Sequence, residues 1–158
     1  MKSATHKSSA GFGTKLIAGL AGAVAVNLVH EATRKAAGGD PPSSRVPRLD
    51  RMGQEGLAKA ARAVGVTPPP PGPKRYWTAL ASDIAVNGLL YAITNNRARP
   101  LRGGAFSGLT AGAAGLILPR LVGLARHTGT NPRTKAMTFA DYAIGGLVSG
   151  LVMKMLRR

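Results

Sequence analysis

Four long apolar stretches alternate along the chain with polar segments that are rich in proline, glycine and basic residues. A helix of about 17–25 mainly apolar residues is long enough to cross a bilayer. The stretches that meet this length are residues 12–33, 76–94, 103–124 and 137–156. The pattern therefore predicts an all-α integral membrane protein with four transmembrane helices, forming a single membrane domain over residues 1–158.

The connector between the first two predicted spans, residues 34–75, has a different composition. Gly38-Gly39 and Pro41-Pro42 are residues that end a helix and prevent it from resuming. Residues 50–64 then place apolar side chains on one helical face and charged ones on the other. This amphipathic helix could lie at the headgroup boundary or cap the loop side of the bundle. Residues 67–73 predict a stiff polyproline spacer.

Small residues recur every four positions in three of the predicted spans. Residues four apart share one face of a helix, and small ones there let two helix backbones approach closely in lipid. The pattern predicts GxxxG-type packing but leaves open whether the partner helix belongs to the same chain or to a second copy. The residues concerned are Gly104, Gly108, Gly112, Gly146, Gly150, Ala18 and Gly22.

Aromatic residues lie in or beside the predicted spans and are absent from the connector. Tyr76 and Trp77 stand together at the start of the second span. Rings with an apolar body and a polar tip are favoured at the membrane–water interface. We therefore expect this pair to be an interfacial anchor.

The chain is strongly basic, with 22 Lys and Arg against 6 Asp and Glu and a net charge of +16. In a soluble protein such a balance would indicate binding to nucleic acid. Here the charges lie between the apolar stretches, the distribution expected beside anionic lipid headgroups. We expect a multi-pass protein of the inner or plasma membrane and no nucleic-acid partner. Basic segments flank the spans on both sides, so the positive-inside rule does not orient the chain.

A few polar residues interrupt the predicted spans. Asp83, Asn87 and Tyr91 form one stripe of the second span, and Asn27 and Glu31 form another in the first. An ionised Asp at the centre of a span costs about 2.5–3.5 kcal/mol on insertion. The second span is therefore expected to need a partner helix.

Two interpretations of these stripes remain open. They could line a hydrated path for protons or cations, with Asp83 as the titrating group. Alternatively, Asp83 and Asn87 fix the helix register by hydrogen bonding to a neighbouring helix. The candidate partners in that interpretation are Asn27, Ser107, Thr110 and Arg120.

Simpler roles are predicted for the other ionisable groups. Glu31 precedes Arg34 and Lys35 and is expected to form an interfacial salt bridge. Asp141 stands near the start of the fourth predicted span, where the helix dipole favours a negative charge. The scattered histidines, which are expected at the interfaces, are His6, His30 and His127.

Catalytic signatures are not found in the sequence. His30-Glu31 lacks the second histidine of an HExxH zinc site, and the chain contains no cysteine. The serines Ser107 and Ser149 lack the glycine two residues earlier that a GxSG protease has. We expect no catalytic residue, no metal and no cofactor, and predict that the protein is not an enzyme.

The order of features from the second span onward resembles the YagU-like family of uncharacterised bacterial inner-membrane proteins. The features are a span with Gly88 and Tyr91, a turn with Pro100, spaced glycines and a proline before Gly-Leu. The residues that carry the last two are Gly104, Gly108, Pro119, Gly123 and Leu124. The resemblance implies a small multi-span protein of the inner membrane and no established chemistry.

The predicted function is a non-enzymatic structural or accessory role in the membrane, with self-association or another membrane protein as partner. The alternative is a small proton or cation channel or transporter that uses Asp83 and Asn87. A basic nucleic-acid-binding protein is a remote third class.

Overall fold

The computed structural model describes residues 9–96, 98–129 and 131–156, which leaves His6 outside. This part of the chain is all-helical, with six helices and no strand. The helices are α1 (Ser9–Ala36), α2 (Leu49–Ala63), α3 (Pro73–Thr94), α4 (Pro100–Leu121), α5 (Ala125–Thr128) and α6 (Pro132–Met155).

The four long helices α1, α3, α4 and α6 form an up-and-down bundle. α1 lies between α3 and α6, and α4 lies between α6 and α3. Neighbouring helices are antiparallel: Gly19 near the start of α1 packs on Ala92 at the end of α3, whereas Asn27 further along α1 contacts Asp83. Four helix termini therefore lie at the same end of the bundle: the end of α1, the start of α3, the end of α4 and the start of α6.

Small residues form the closest contacts between these helices. A Cβ atom added at Gly104 of α4 would lie 2.7 Å from the Cα atom of Gly150 in α6. A Cβ atom at Gly22 of α1 would lie 2.8 Å from the Ser149 side chain of α6. Real Cβ atoms do not approach this closely, so the backbones can meet only because these positions carry no side chain. Gly108, Gly112 and Gly146 make equivalent contacts between α4 and α6, and Ala18 is fully buried.

The distribution of side chains is the reverse of that in a soluble bundle. Many large apolar residues lie on the outside and are exposed, among them Ile17, Leu28, Val86, Phe106 and Ile117. The interior instead contains small and polar side chains, among them Ser107, Thr138, Ser149, Asn87 and Asn95. A soluble protein rarely exposes so large an apolar surface, whereas a membrane protein presents it to lipid.

Three helices of the described chain are long and apolar enough to cross a membrane: Gly11–Ala36 of α1, α4 and α6. This indicates a multi-pass membrane protein. The prediction of four such helices was wrong for the stretch 76–94, which lies in α3. Asp83 and Asn87 stand in the middle of α3 and lower its mean hydropathy, so α3 does not qualify on composition alone.

Three helices also begin earlier than predicted, because each starts at a proline. Pro73, Pro100 and Pro132 occupy the first turns of α3, α4 and α6. Proline is tolerated there, since the first N–H groups of a helix have no partner within the helix. The polyproline spacer predicted for residues 67–73 therefore ends before Pro73. α5 was not predicted.

The amphipathic helix α2 lies across the end of the bundle as a cap, the second of the two placements left open by the sequence. Gly38 and Gly39, with φ of 101° and 84°, turn the chain away from α1. Lys59 of α2 donates to the carbonyl oxygen of Val122 at 2.7 Å. Glu55 contacts His127 at 2.8 Å and Arg126 at 2.6 Å, and these contacts hold the pKa of Glu55 below its usual value.

Replacing Gly146 by Ala should destabilise the bundle, because the added methyl group would overlap the backbone of α4 at Gly104 and Gly108. Overpacking of this kind costs about 1–3 kcal/mol. The measurement is thermal unfolding of the purified protein in detergent, followed by circular dichroism. Gly13→Ala is the matched control, since nothing lies within 4 Å of a Cβ atom at Gly13. Equal midpoints for the two variants would contradict the close α4–α6 contact.

Candidate functional site

The polar centre of the bundle is the carboxylate of Asp83. The Asn27 side-chain nitrogen of α1 donates to Asp83 Oδ2 at 2.9 Å, and that of Asn87 in α3 donates to Oδ1 at 2.9 Å. The close approach of α1 and α3 at Gly19 and Gly88 brings these side chains together. Each carboxylate oxygen therefore has an amide donor, but neither donor carries a positive charge.

His30 is a second buried polar group, one helical turn beyond Asn27 on α1. The residue is 4% exposed, and neither ring nitrogen has a hydrogen-bond partner in the described chain. Nε2 lies 3.8 Å from Asp50 Oδ1 of α2, and Nδ1 lies 3.7 Å from Asp141 Oδ2 of α6. A neutral imidazole has one donor and one acceptor, so only the protonated ring can face two ionised carboxylates favourably.

Asp50 links this interior to the connector. Arg48, which is buried, donates from Nε and Nη2 to the two oxygens of Asp50 at 3.2 and 3.1 Å. Arg48 also contacts Asp40 and donates to the carbonyl oxygen of Pro41 at 3.2 Å. Burial of Asp50 opposes its ionisation, but contacts with His30 and Arg48 outweigh this and hold the pKa of Asp50 well below its usual range.

A cavity of about 160 Å³ lies between α1, α2 and α3 beside these groups. No Lys or Arg side chain of the described chain lines it, although the protein has 22 of them. Three of the 6 acidic residues do. The polar residues of its wall are Asn27, His30, Glu31, Asp50, Tyr76 and Asp83. The cavity is therefore an acidic pocket in a basic protein.

The acids of the pocket differ in their counter-charges. Arg34 donates to both oxygens of Glu31 at 2.9 and 2.7 Å, and Lys35 Nζ lies 3.6 Å from Glu31, as the salt-bridge prediction requires. Asp50 has Arg48. No cationic side chain in the described chain forms an ion pair with Asp83, which is held by amide groups alone. Asp83 is the acid of the pocket without its own counter-charge.

The structure brings together only some of the residues proposed from the sequence. Asn27, Asp83 and Asn87 form one hydrogen-bonded group, and Glu31 lines the same pocket. Tyr91 lies deeper, fully buried, and donates to the carbonyl oxygen of Tyr142 at 2.8 Å. The other partners considered for Asp83 lie elsewhere: Ser107 is bonded to Thr94, Thr110 to the carbonyl oxygen of Phe106, and Arg120 is exposed.

Two residues of the site were not grouped with it from the sequence. His30 was expected only at the interface, and the structure shows that it is buried next to Asp50 of the connector. Asp141 was assigned to the helix dipole, but α6 begins at Pro132, and the dipole acts only within the first turn. The spacing of Asn27, His30 and Glu31 at one helical face could have grouped His30 with the polar stripe. Asp50 reaches His30 because the connector folds back over the bundle, and no local sequence pattern predicts this fold-back.

These groups can hold and exchange protons and can attract a cation. The described residues contain no group of three or more His, Asp or Glu side chains close enough to hold a metal ion. The groups that line the pocket are carboxylates, an amide, a phenol and one imidazole beside apolar side chains.

Replacing Asp50 by Asn should destabilise the folded protein at pH 7 by about 2 kcal/mol, because buried Arg48 loses the charge of its bidentate partner. The lowered pKa means that the ionised carboxylate of Asp50 stabilises the fold above its usual value of 3.8 and loses this effect only as the pH falls through its folded pKa. Unfolding midpoints of both proteins, measured from pH 7 to pH 3, should stay apart throughout. Equal unfolding midpoints of the two proteins at pH 7 would contradict the stabilising contact between Asp50 and Arg48.

No protein-family model matches the chain, and no curated protein sequence and no solved structure is significantly similar to it. The resemblance to the YagU-like family therefore remains a prediction, and the function has to be argued from the site and the fold.

Proposed function

We propose that this protein is a non-enzymatic, multi-pass component of the inner or plasma membrane, in which all four long helices cross the bilayer as one bundle. The observation that supports this most is the placement of small and polar side chains inside and large apolar ones outside. This distribution supports residence in the bilayer, and the structural or accessory role is proposed on that basis.

The packing of α3 supports its inclusion among the crossing helices. α3 lies along α1, and Asp83 and Asn87 face inward, where Asn27 completes their hydrogen bonds. Its outward residues, among them Trp77, Val86, Leu89 and Ile93, are apolar and exposed. The polar groups that lower its hydropathy are thus hidden from lipid by α1, and the surface that lipid would contact is apolar.

The end of the bundle that carries the connector has residues suited to contact with anionic lipid headgroups. Lys74 and Arg75 directly precede Tyr76 and Trp77, whose rings pack edge to face at 5.2 Å. Basic residues next to interfacial aromatic ones are typical of contact with anionic lipid. Tyr76 and Trp77 keep the anchoring role expected for them.

Self-association, if it occurs, has to use the outer apolar surface. The glycine faces of α1, α4 and α6 are filled by contacts within the chain, so they are not free for a second copy. A homo-oligomer would instead join exposed residues such as Phe106 and Leu109 of α4.

Transport of protons or cations is the second candidate, and the acidic pocket favours it. A continuous path would require more than this pocket, because the bundle beyond it is closely packed. Tyr91, Ala92, Ser107 and Ser149 have no exposed surface at all. Conduction would thus need these residues to move apart, whereas a structural role does not.

The crossing of α3 can be tested with two single-cysteine variants, since the chain has no native cysteine. Lys74 in the first turn of α3 and Arg99 after its end are both exposed, and each can be replaced by cysteine. If α3 crosses the membrane, an impermeant thiol reagent added to intact cells will label only one of them. Both should react after permeabilisation, which serves as the control. Labelling of both cysteines in intact cells would mean that the two ends of α3 lie on the same side of the membrane.

The choice between structure and conduction can be tested at Asn87. We expect Asn87→Cys to resist the impermeant reagent even in permeabilised cells, because Asn87 is 8% exposed inside the bundle. Ala23→Cys, also buried in α1, should behave in the same way, and Glu55→Cys in the connector should react. Rapid labelling of Asn87→Cys would mean that water reaches the centre and would favour conduction.

A further inference from the structure

The acidic pocket has features that select for a positively charged ligand. The protein carries +16 overall, yet no Lys or Arg side chain of the described residues lines this cavity. Asp83 faces the cavity without an ionic partner, whereas Glu31 and Asp50 have theirs. A cation entering the pocket would meet an uncompensated carboxylate, and an anion would be repelled.

His30 provides an independent indication of a ligand. Its side chain lines the cavity, is 5% exposed, and has no hydrogen-bond partner for either ring nitrogen in the described chain. Buried polar atoms are normally paired, and leaving them unpaired is costly. A ligand that carries an oxygen acceptor next to its ammonium group could accept a hydrogen bond from the protonated ring and donate to Asp83 as well.

The rest of the wall indicates an organic cation. Leu28, Leu49 and Leu80 line the pocket together with Tyr76. Apolar and aromatic residues suit a carbon-bound ammonium group better than a hydrated metal ion. The volume of about 160 Å³ is roughly ten times what one water molecule needs, which leaves room for a small head group.

We propose that this pocket binds a primary ammonium group, with Asp83 as its counter-ion and His30 and Asn27 beside it. Two sources carry this chemistry: the ethanolamine headgroup of a phospholipid and a free amine from water. Leu28, which lines the pocket, is 65% exposed on the outer surface of α1, so the pocket extends to the surface of the bundle.

The first test uses the full chain, purified in a non-ionic maltoside detergent and an amine-free buffer. Trp77, the single tryptophan, lies next to Tyr76 and reports on the pocket through its fluorescence. Ethanolamine should change this fluorescence with saturation and raise the unfolding midpoint. Ethylene glycol, a neutral molecule of the same shape, and sodium chloride at matched ionic strength should do neither. Equal effects of ethanolamine and these controls would overturn the proposal.

Two variants locate the binding. Asp83→Asn keeps the shape but removes the charge, and should weaken binding about tenfold or more. Gly53→Leu keeps every acid and fills the cavity from α2; its Cβ atom meets only Ala79, at an ordinary 3.8 Å. It should abolish the response even if Asp83→Asn does not fold. Glu55→Gln, outside this pocket, should bind like the wild type. Unchanged binding by Asp83→Asn or by Gly53→Leu would refute the assignment.

The source of the ammonium group is decided in lipid nanodiscs. Discs of phosphatidylglycerol contain no amine, and discs with added phosphatidylethanolamine do. If the lipid headgroup is the ligand, phosphatidylethanolamine will suppress the fluorescence response to free ethanolamine. If the ligand is a free amine, the fluorescence response will persist in these discs. The measurements in detergent do not depend on whether α3 crosses a membrane, so failure here and failure of the labelling test are distinguishable.

Discussion

The close approach of α1 and α3 at Gly19 and Gly88 determines where the polar groups of this protein can lie. A Cβ atom at Gly19 would lie 2.9 Å from the backbone nitrogen of Ala92, so no larger residue fits. At this separation the short side chain of Asn27 reaches Asp83. With a wider gap the carboxylate would lose its donor from α1, and a buried charge without that bond would be costly. The polar centre thus depends on residues that have no side chain.

The same constraint explains the composition of the interior. Where backbones touch, no space remains for Leu or Phe, so these contacts are made by Gly, Ala, Ser and Thr, although a few larger side chains such as Val26, Tyr91 and Met153 are also buried. Their hydroxyl groups bond within the bundle: Thr94 donates to Ser107 at 2.8 Å, and Thr138 donates to the carbonyl oxygen of Thr128 at 2.6 Å. Most of the large apolar residues then lie on the outer surface, which is the arrangement that suits lipid.

Most of the fold could be predicted from the sequence, because apolar length and four-residue spacing are local signals. The helix starts at Pro73, Pro100 and Pro132 were missed because proline was interpreted as a breaker and not as a first helical residue. α3 does not qualify as a span on composition, in line with the expectation that Asp83 makes this segment dependent on a partner helix.

The candidate site was less predictable, since it combines residues from different elements. The stripe of Asp83 and Asn87 is visible in the sequence, and so is the facing Asn27. The contacts of His30 with Asp50 and Asp141 depend on how the connector folds back over the bundle, and no spacing rule carries that information. The pocket exists only because α2 caps the gap between α1 and α3.

The hydrogen bond between Asn27 and Asp83 also bears on how such a chain would enter a membrane. If α3 crosses the bilayer, inserting it alone would expose an ionised carboxylate to lipid, at about 2.5–3.5 kcal/mol. Paired with α1, the same carboxylate already has its amide donors. The unit of insertion would then be the α1–α3 hairpin. In that case α1 would stay at the translocation machinery until the connector and α3 have been synthesised. A mutation at Gly19 or Gly88 would accordingly impair biogenesis before it could affect any mature activity.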